Sequence, residues 1–424
     1  MQIRKKFIKY VSESVFGMLG LSCYILADTF FIARGVGENG LTALNLAIPV
    51  FSLMTGVGLM IGIGGATHYS LQNDRKAFTQ SAYMGLIFSA LFMAVGILLS
   101  TPIAYLLGAD ERTVQNTAVY LKIILSLAPF FIASNLLSAF IRNDNAPKLA
   151  MIAQLTGSFS NIVLDYIFIY PLKMGMKGAA IATCLSPIIS ITILSLHFIK
   201  KKNSFTILKC APNLRPFLRI CTLGVSALIT ELSSAVVIIV FNIVILNIAG
   251  NTGVAAYGII ANIALVVTSI FTGIAQGMQP LVSELKRNGE KKSLQSVIIW
   301  GLSAGVILSA VIYIISFMYA REITDLFNSE NSAALRELAE RGIRIYFTSF
   351  LFSGINIVVS SSLSASDRPI PAFVISSLRG FVLLIPATFI LAYAFGIDGV
   401  WTSVPASELI CVVFSAVFAK KSVK

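Results

Sequence analysis

Apolar stretches of about twenty residues recur from one end of this 424-residue chain to the other. Each is long enough to cross a hydrocarbon core about 30 Å thick, since a helix rises about 1.5 Å per residue. No polar stretch between them is long enough to build a separate soluble domain. Charged residues make up only 12% of the chain, against roughly 25% in soluble domains. The function must therefore be carried by side chains within the membrane part.

Twelve spans are predicted, over 8–32, 41–68, 80–107, 116–140, 149–171, 178–200, 216–248, 254–283, 294–319, 342–364, 371–396 and 399–419. Gly and Pro punctuate the connections, as at Pro102 and Gly108, Asn145-Ala146-Pro147, Gly250 to Gly253, and Pro369 and Pro371. A net charge of +13 would suggest nucleic acid in a soluble protein. Here Lys and Arg sit in short loops without interleaved aromatics to stack bases, so no nucleic-acid partner is expected. The loops that share a side with Arg4, Lys5 and Lys6 hold Arg75 and Lys76, Arg142 and Lys148, Lys200 to Lys202 with Lys209 and Arg215, and Lys286, Arg287, Lys291 and Lys292. Lys420, Lys421 and Lys424 end the chain on that side. The opposite loops are poorer in positive charge, and the 320–341 loop is mixed and acid-rich. Both termini are therefore expected in the cytoplasm, in a multi-pass protein of the inner or plasma membrane. No small-residue cleavage site follows the basic N-terminus, so the first helix is expected to be retained. The five cysteines (Cys23, Cys184, Cys210, Cys221 and Cys411) are odd in number and lack a CxxC pair. They are expected to be buried free thiols. His68 and His197 stand singly and suggest no metal site.

The chain repeats itself. Residues 41–70 and 254–283 align without gaps on Ala43/Ala256, Thr55/Thr268, Ile61/Ile274, Gly64/Gly277 and Ser70/Ser283. Two further pairs follow in order: Asp144 to Pro147 with Asp367 to Pro371, and Gly175 to Gly178 with Gly396 to Gly399. Duplication places six spans in each half with the same orientation, a parallel repeat about an axis along the membrane normal. The expected fold is an all-α polytopic membrane protein. It has a six-helix lobe over 1–200, a cytoplasmic linker over 201–215 and a second six-helix lobe over 216–424. Substrate is expected near the midplane between the halves, reached by alternating access.

An acid at the centre of a span costs about 2.5–3.5 kcal/mol on insertion scales, so each one is a candidate functional group. Asp28, Asp165 and Glu231 fall well within spans, Glu13 nearer an inner end, and Glu408 in the twelfth. Asn161 precedes Asp165 by one helical turn on the same face, and Thr183 in the next span can add an oxygen. Carboxylates, an amide and a hydroxyl suit a hard cation such as Na⁺. A pair of like charges in a dry site suits a proton instead. The competing reading of Asp165 is a helix cap or a partner for Lys173. Arg379 is the clearest cation at depth, with Glu231 or Glu408 as its possible partner. With Gln276 and Gln279 it is a candidate for the substrate cavity.

Four segments resemble the multidrug and toxic compound extrusion transporters, and the resemblance covers the whole chain. They are Tyr24 to Ile32, Asn161 to Tyr166, Gly175 to Thr183, and Val254 to Tyr257 continuing to Gln276–Pro280. The resemblance implies twelve helices in a V-shaped pair of bundles and export coupled to Na⁺ or H⁺. It further implies a first-half cation site of Asp28, Asn161, Asp165 and Thr183, with Glu231 as the acid of the seventh span. Many members carry a proline in the inner part of span one, where this chain reads Val11-Ser-Glu-Ser-Val15. The leading expectation is thus a monomeric antiporter exporting organic cations, with no cofactor beyond the coupling ion. The alternative is a lipid-linked oligosaccharide flippase of the same superfamily. Neither HExxH nor a P-loop occurs, and an enzyme is not expected.

Overall fold

The computed structural model describes residues 2–327 and 332–423. Sixteen α-helices follow one another among them: α1 (Gln2–Gly35), α2 (Glu38–Gln72), α3 (Ala77–Leu106), α4 (Val114–Ser126), α5 (Ala128–Asn143), α6 (Pro147–Ile169), α7 (Gly175–Leu194), α8 (Leu196–Ile199), α9 (Leu214–Arg287), α10 (Lys291–Met318), α11 (Ala320–Phe327), α12 (Ala333–Tyr346), α13 (Phe350–Ala365), α14 (Pro369–Ser377), α15 (Leu384–Phe395) and α16 (Ile397–Val423). Ten helical stretches are long and apolar enough to cross a membrane, and α4 with α5 forms an eleventh, bent by 50°. The bend falls where Pro129, near the start of α5, has no N–H to continue the α4 ladder. At 74 residues α9 would run about 110 Å as one helix. It is broken at Gly250, whose φ of 61° and ψ of −158° suit glycine alone, and so contributes two spans. The twelve predicted spans are thereby accounted for.

The predicted duplication is written in the backbone. Gly37 before α2 and Gly250 within α9 both have positive φ, as do Asn145 and Asp367, and Gly175 and Gly396. These pairs fall in chain order, at the same turns of the two halves.

Two compact units emerge. One spans Ser12–Leu232, and the other takes the described chain up to Val11 and from Ser233. In the first, α2 and the start of α9 meet backbone to backbone. A β-carbon on Gly64 would lie 2.1 Å from the Ile220 carbonyl oxygen, and one on Gly224 only 2.0 Å from that of Met60. Small residues permit this approach, and close packing is what holds helices together where lipid removes the hydrophobic drive.

The segment predicted as a linker is strapped to the first unit. Phe205 is buried among Phe78, Phe140 and Phe198, with ring centroids at 4.7, 5.3 and 5.4 Å. Asp144 Oδ2 meets His197 Nε2 at 2.7 Å and accepts from the Ser204 N–H at 2.8 Å. Leu208 N–H donates to Thr79 Oγ1 at 2.9 Å, and Tyr83 donates to the Cys210 carbonyl at 3.0 Å. His197 is thus a structural partner of Asp144, and His68 likewise faces Asp74 at 3.4 Å.

Two expectations are corrected. The predicted 320–341 loop is helical over α11 and again from Ala333, where the Ser332 hydroxyl caps α12 by accepting from Leu335 N–H at 3.3 Å. Residues 328–331 of that loop, and Lys424 of the basic tail, lie outside the described residues. All five cysteines are free, but only Cys184 and Cys411 are buried and Cys23 is exposed.

The glycine contact gives a prediction. Gly224→Val should lower the melting temperature of the detergent-solubilised protein by several degrees, because overpacking against backbone cannot relax by a rotamer change. Gly258→Ala, where an added β-carbon meets nothing within 4 Å, should leave it unchanged or slightly raised. Thermal size-exclusion profiles of the two variants check this.

Candidate functional site

Small residues also set the register of the acids. Gly17, Gly20 and Gly35 of α1 lie against Gln154, Leu155 and Ile169 of α6. Both series rise together, so the two helices run parallel and Asp28 falls level with Asp165. On the other side of α6, Gly157 admits Ser186 and Ser190 of α7, and the Ser190 hydroxyl donates to the Ala153 carbonyl at 3.0 Å. This packing carries Thr183 to the same level.

Asp28, Asn161, Asp165 and Thr183 are all buried. The Asp28 and Asp165 carboxyls face each other closely enough to interact. With its amide nitrogen turned toward Asp165, Asn161 donates to Oδ2 at 3.1 Å, and its oxygen accepts from the Thr183 backbone N–H at 3.2 Å. The Thr183 hydroxyl donates to the Ala179 carbonyl at 3.0 Å. No donor reaches Asp28 Oδ1 or Asp165 Oδ1, although both atoms are buried. Two facing carboxylates, each with an undonated oxygen, cannot both remain charged in such surroundings without a proton or a cation between them. Among the described residues no three His, Cys, Asp or Glu converge. The group is therefore an oxygen set built on two acids.

Two tyrosines complete the surroundings. Tyr24 is buried one turn before Asp28 on α1, within electrostatic reach of Asp28, Asp165 and Glu231. Tyr120 on α4 is buried, within electrostatic reach of Asp28 and near Thr183. The i, i+4 spacing to Asp28 was the available signal for Tyr24. Tyr120 carries no sequence signal, because its place depends on the α4–α7 packing. Glu231 lies in the same unit, half-buried against Gly56 of α2. Glu13 is half-buried nearer the start of α1.

Gln276, Gln279 and Arg379 belong to the other unit. Gln276 and Gln279 are buried on α9 beside Gly277, where α9 packs on the Tyr10 backbone of α1. Arg379 sits in a π-helical turn, Leu378–Val382, between α14 and α15. Its Nε and Nη2 donate to Glu408 Oε1 at 3.1 and 2.7 Å. Asn356 Nδ2 donates to Glu408 Oε2 at 2.6 Å, and the Ser415 hydroxyl donates to Asn356 Oδ1 at 2.7 Å. Of the two partners open to Arg379 in the sequence, Glu408 is the one it takes.

Breaking this pair should be costly and removing it whole should not. Glu408→Leu leaves a guanidinium buried alone and should cost about 3–5 kcal/mol, whereas Arg379→Leu with Glu408→Leu should recover most of the loss. Melting temperatures of the single and double variants in detergent check this.

Comparison with known proteins agrees with this architecture. The MatE family model matches residues 14–167 and again 226–390, once in each half. Multidrug export protein MepA of Staphylococcus saprophyticus is 28% identical over 416 residues, covering 96% of this chain and 91% of its own. The protein of the same name from Staphylococcus aureus strain MRSA252 is 27% identical over 418 residues, with the same coverage. Among solved structures, a MATE protein in complex with MaL6 superposes with a TM-score of 0.92 at 20% identity, covering 99% of this chain and 96% of its own. The outward-facing conformation of a multidrug resistance MATE transporter of the MOP superfamily gives 0.89 at 21%, with the same coverage. Matched in both halves and spanning a membrane many times, the chain belongs to the MatE family, the multidrug and toxic compound extrusion proteins, and is a transporter and not an enzyme.

Proposed function

We propose that this protein is a secondary active antiporter that exports organic cations in exchange for Na⁺ or H⁺. The observation that carries the reading is the facing pair Asp28 and Asp165, each with a buried oxygen that no donor reaches. Asn161 and Thr183 fix the orientation of Asp165, so the carboxyl is held in place rather than free to seek water. A cation or proton entering this pair neutralises charge that the surroundings cannot, and its departure restores that charge. Such a site binds and releases a monovalent cation at modest cost, which is what coupling to an ion gradient requires. The aromatic side chains Tyr24 and Tyr120 beside it offer faces for cation–π contact with an organic cation. Glu231 supplies a further acid in the same unit.

Relatives named multidrug export proteins, similar over nearly the full chain, support drug-like substrates. The loop charges support cytoplasmic termini in a plasma or inner membrane, and the chain is taken to work as a monomer. A lipid-linked oligosaccharide flippase is less well supported. A polyanionic headgroup asks for unpaired basic side chains, and the half-buried Arg379 is neutralised by Glu408.

Asp165→Asn should abolish gradient-driven ethidium efflux while the protein still reaches the membrane at wild-type level. Unchanged efflux would sink the assignment. In proteoliposomes, an imposed Na⁺ gradient and an imposed H⁺ gradient should differ in their power to drive export, and the effective one names the coupling ion. If neither drives it, antiport is excluded.

A further inference from the structure

A second polar site lies at the end of the first unit, away from the buried acids. A cavity of about 580 Å³ opens between the C-terminal turn of α2, the turn that follows it, and the start of α9. Its lining includes His68, Asp74, Asn213, Arg215, Leu218 and Arg219. Arg215 and Arg219 are one helical turn apart on the first two turns of α9, so their side chains share a face. That face stands at a helix N-terminus, where free N–H groups add positive potential. The one acid in the lining is already engaged: Asp74 Oδ1 accepts from Lys76 N–H at 2.9 Å and Oδ2 faces His68 Nε2 at 3.4 Å. Lys76 and Arg75, both exposed, add charge at the neighbouring turn.

The apolar neighbours define what the cavity faces. Leu214 and Leu218 are 70% and 58% exposed, and each immediately precedes one of the two arginines. At the end of a membrane-spanning helix, leucines exposed to this degree suit contact with acyl chains. The adjoining arginines then reach the headgroup layer, with their stems along the apolar surface. A basic cavity flanked by lipid-facing leucines has the chemistry of an anionic phospholipid site.

We propose that this cavity binds the phosphodiester headgroup of an anionic phospholipid, with Arg215 and Arg219 as the charged donors and Leu214 and Leu218 against its acyl chains. A soluble phosphate compound would use the arginines alone and gain nothing from the leucines. The site is independent of the acid pair, so its fate is separable from that of the antiport reading.

The test uses the full chain, purified in detergent and titrated with phosphatidylglycerol or phosphatidylcholine of identical acyl composition, with bound lipid counted by native mass spectrometry. Phosphatidylglycerol should be retained in preference to phosphatidylcholine on the wild type. Arg215→Gln with Arg219→Gln should weaken phosphatidylglycerol binding by roughly tenfold or more, as loss of charge-assisted hydrogen bonds implies. Lys291→Gln with Lys292→Gln, which removes the same charge elsewhere, should not. Should the double arginine variant fail to fold, Arg215→Gln alone serves, since Arg215 is exposed. Equal retention of the two lipids, or undiminished phosphatidylglycerol binding by the arginine variants, would overturn the proposal. Displacement of the lipid by millimolar inorganic phosphate would overturn it too, by showing a site for free phosphate.

Discussion

Within a bilayer no water is available to satisfy a polar group, and each one must find its partner inside the protein. The backbone meets this constraint by becoming helical. Side chains meet it in three ways in this molecule. Hydroxyls of Thr183, Ser309 and Thr388 donate to carbonyls one turn back on their own helices. Arg379 and Glu408 neutralise one another and are closed in by Asn356 and Ser415. Asp28 and Asp165 do neither, and they keep oxygens that no donor reaches. Two acids that face one another differ in this from the neutralised pair, and the proposed coupling site rests on that difference.

The two halves are alike in backbone and unlike in charge. Positive φ values recur at matching turns, and one family model matches each half. Yet Glu408 of the second unit is paired with a guanidinium, while Asp28 and Asp165 of the first face each other. Duplication preserves the turns, because glycine or a tolerant residue is needed there whatever the side chains do elsewhere. It does not preserve the buried charges, which are neutralised by an arginine in one copy and face one another in the other.

Much of this was legible in the sequence because it rests on local quantities. Span number follows from apolar length, and the break in α9 followed from Gly250 to Gly253. The grouping of Asn161 with Asp165 follows from helical spacing, and the suspicion attached to each acid follows from its insertion cost. What escaped depends on packing between helices. Hydropathy averages over the bend at Leu127, so 116–140 read as one span. The strap over 201–213 is polar and basic in composition, and its anchoring rests on Phe205 meeting rings from the distant Phe78 and Phe140 as well as the nearby Phe198. The 320–341 stretch is too polar for a span and read as a loop, although its apolar residues recur with a helical period. Tyr120 needed the α4–α7 contact. The partner of Arg379 needed the three-dimensional choice between two acids that the sequence left open.

The asymmetry bears on how a duplicated fold can be driven by an ion. A closed pair such as Arg379 with Glu408 has no net charge to exchange, and opening it would strand two buried ions at several kcal/mol each. It is therefore suited to hold helices together through a transport cycle. An open pair of carboxylates has the opposite property. On the proposed reading its charge is offset by a cation or proton that arrives from outside. An organic cation held nearby would compete for the same negative charge, by lowering the benefit of the smaller one. Exchange of one for the other then needs no dedicated switch. On the proposed reading it follows from placing two facing acids where a visiting cation or proton offsets their charge.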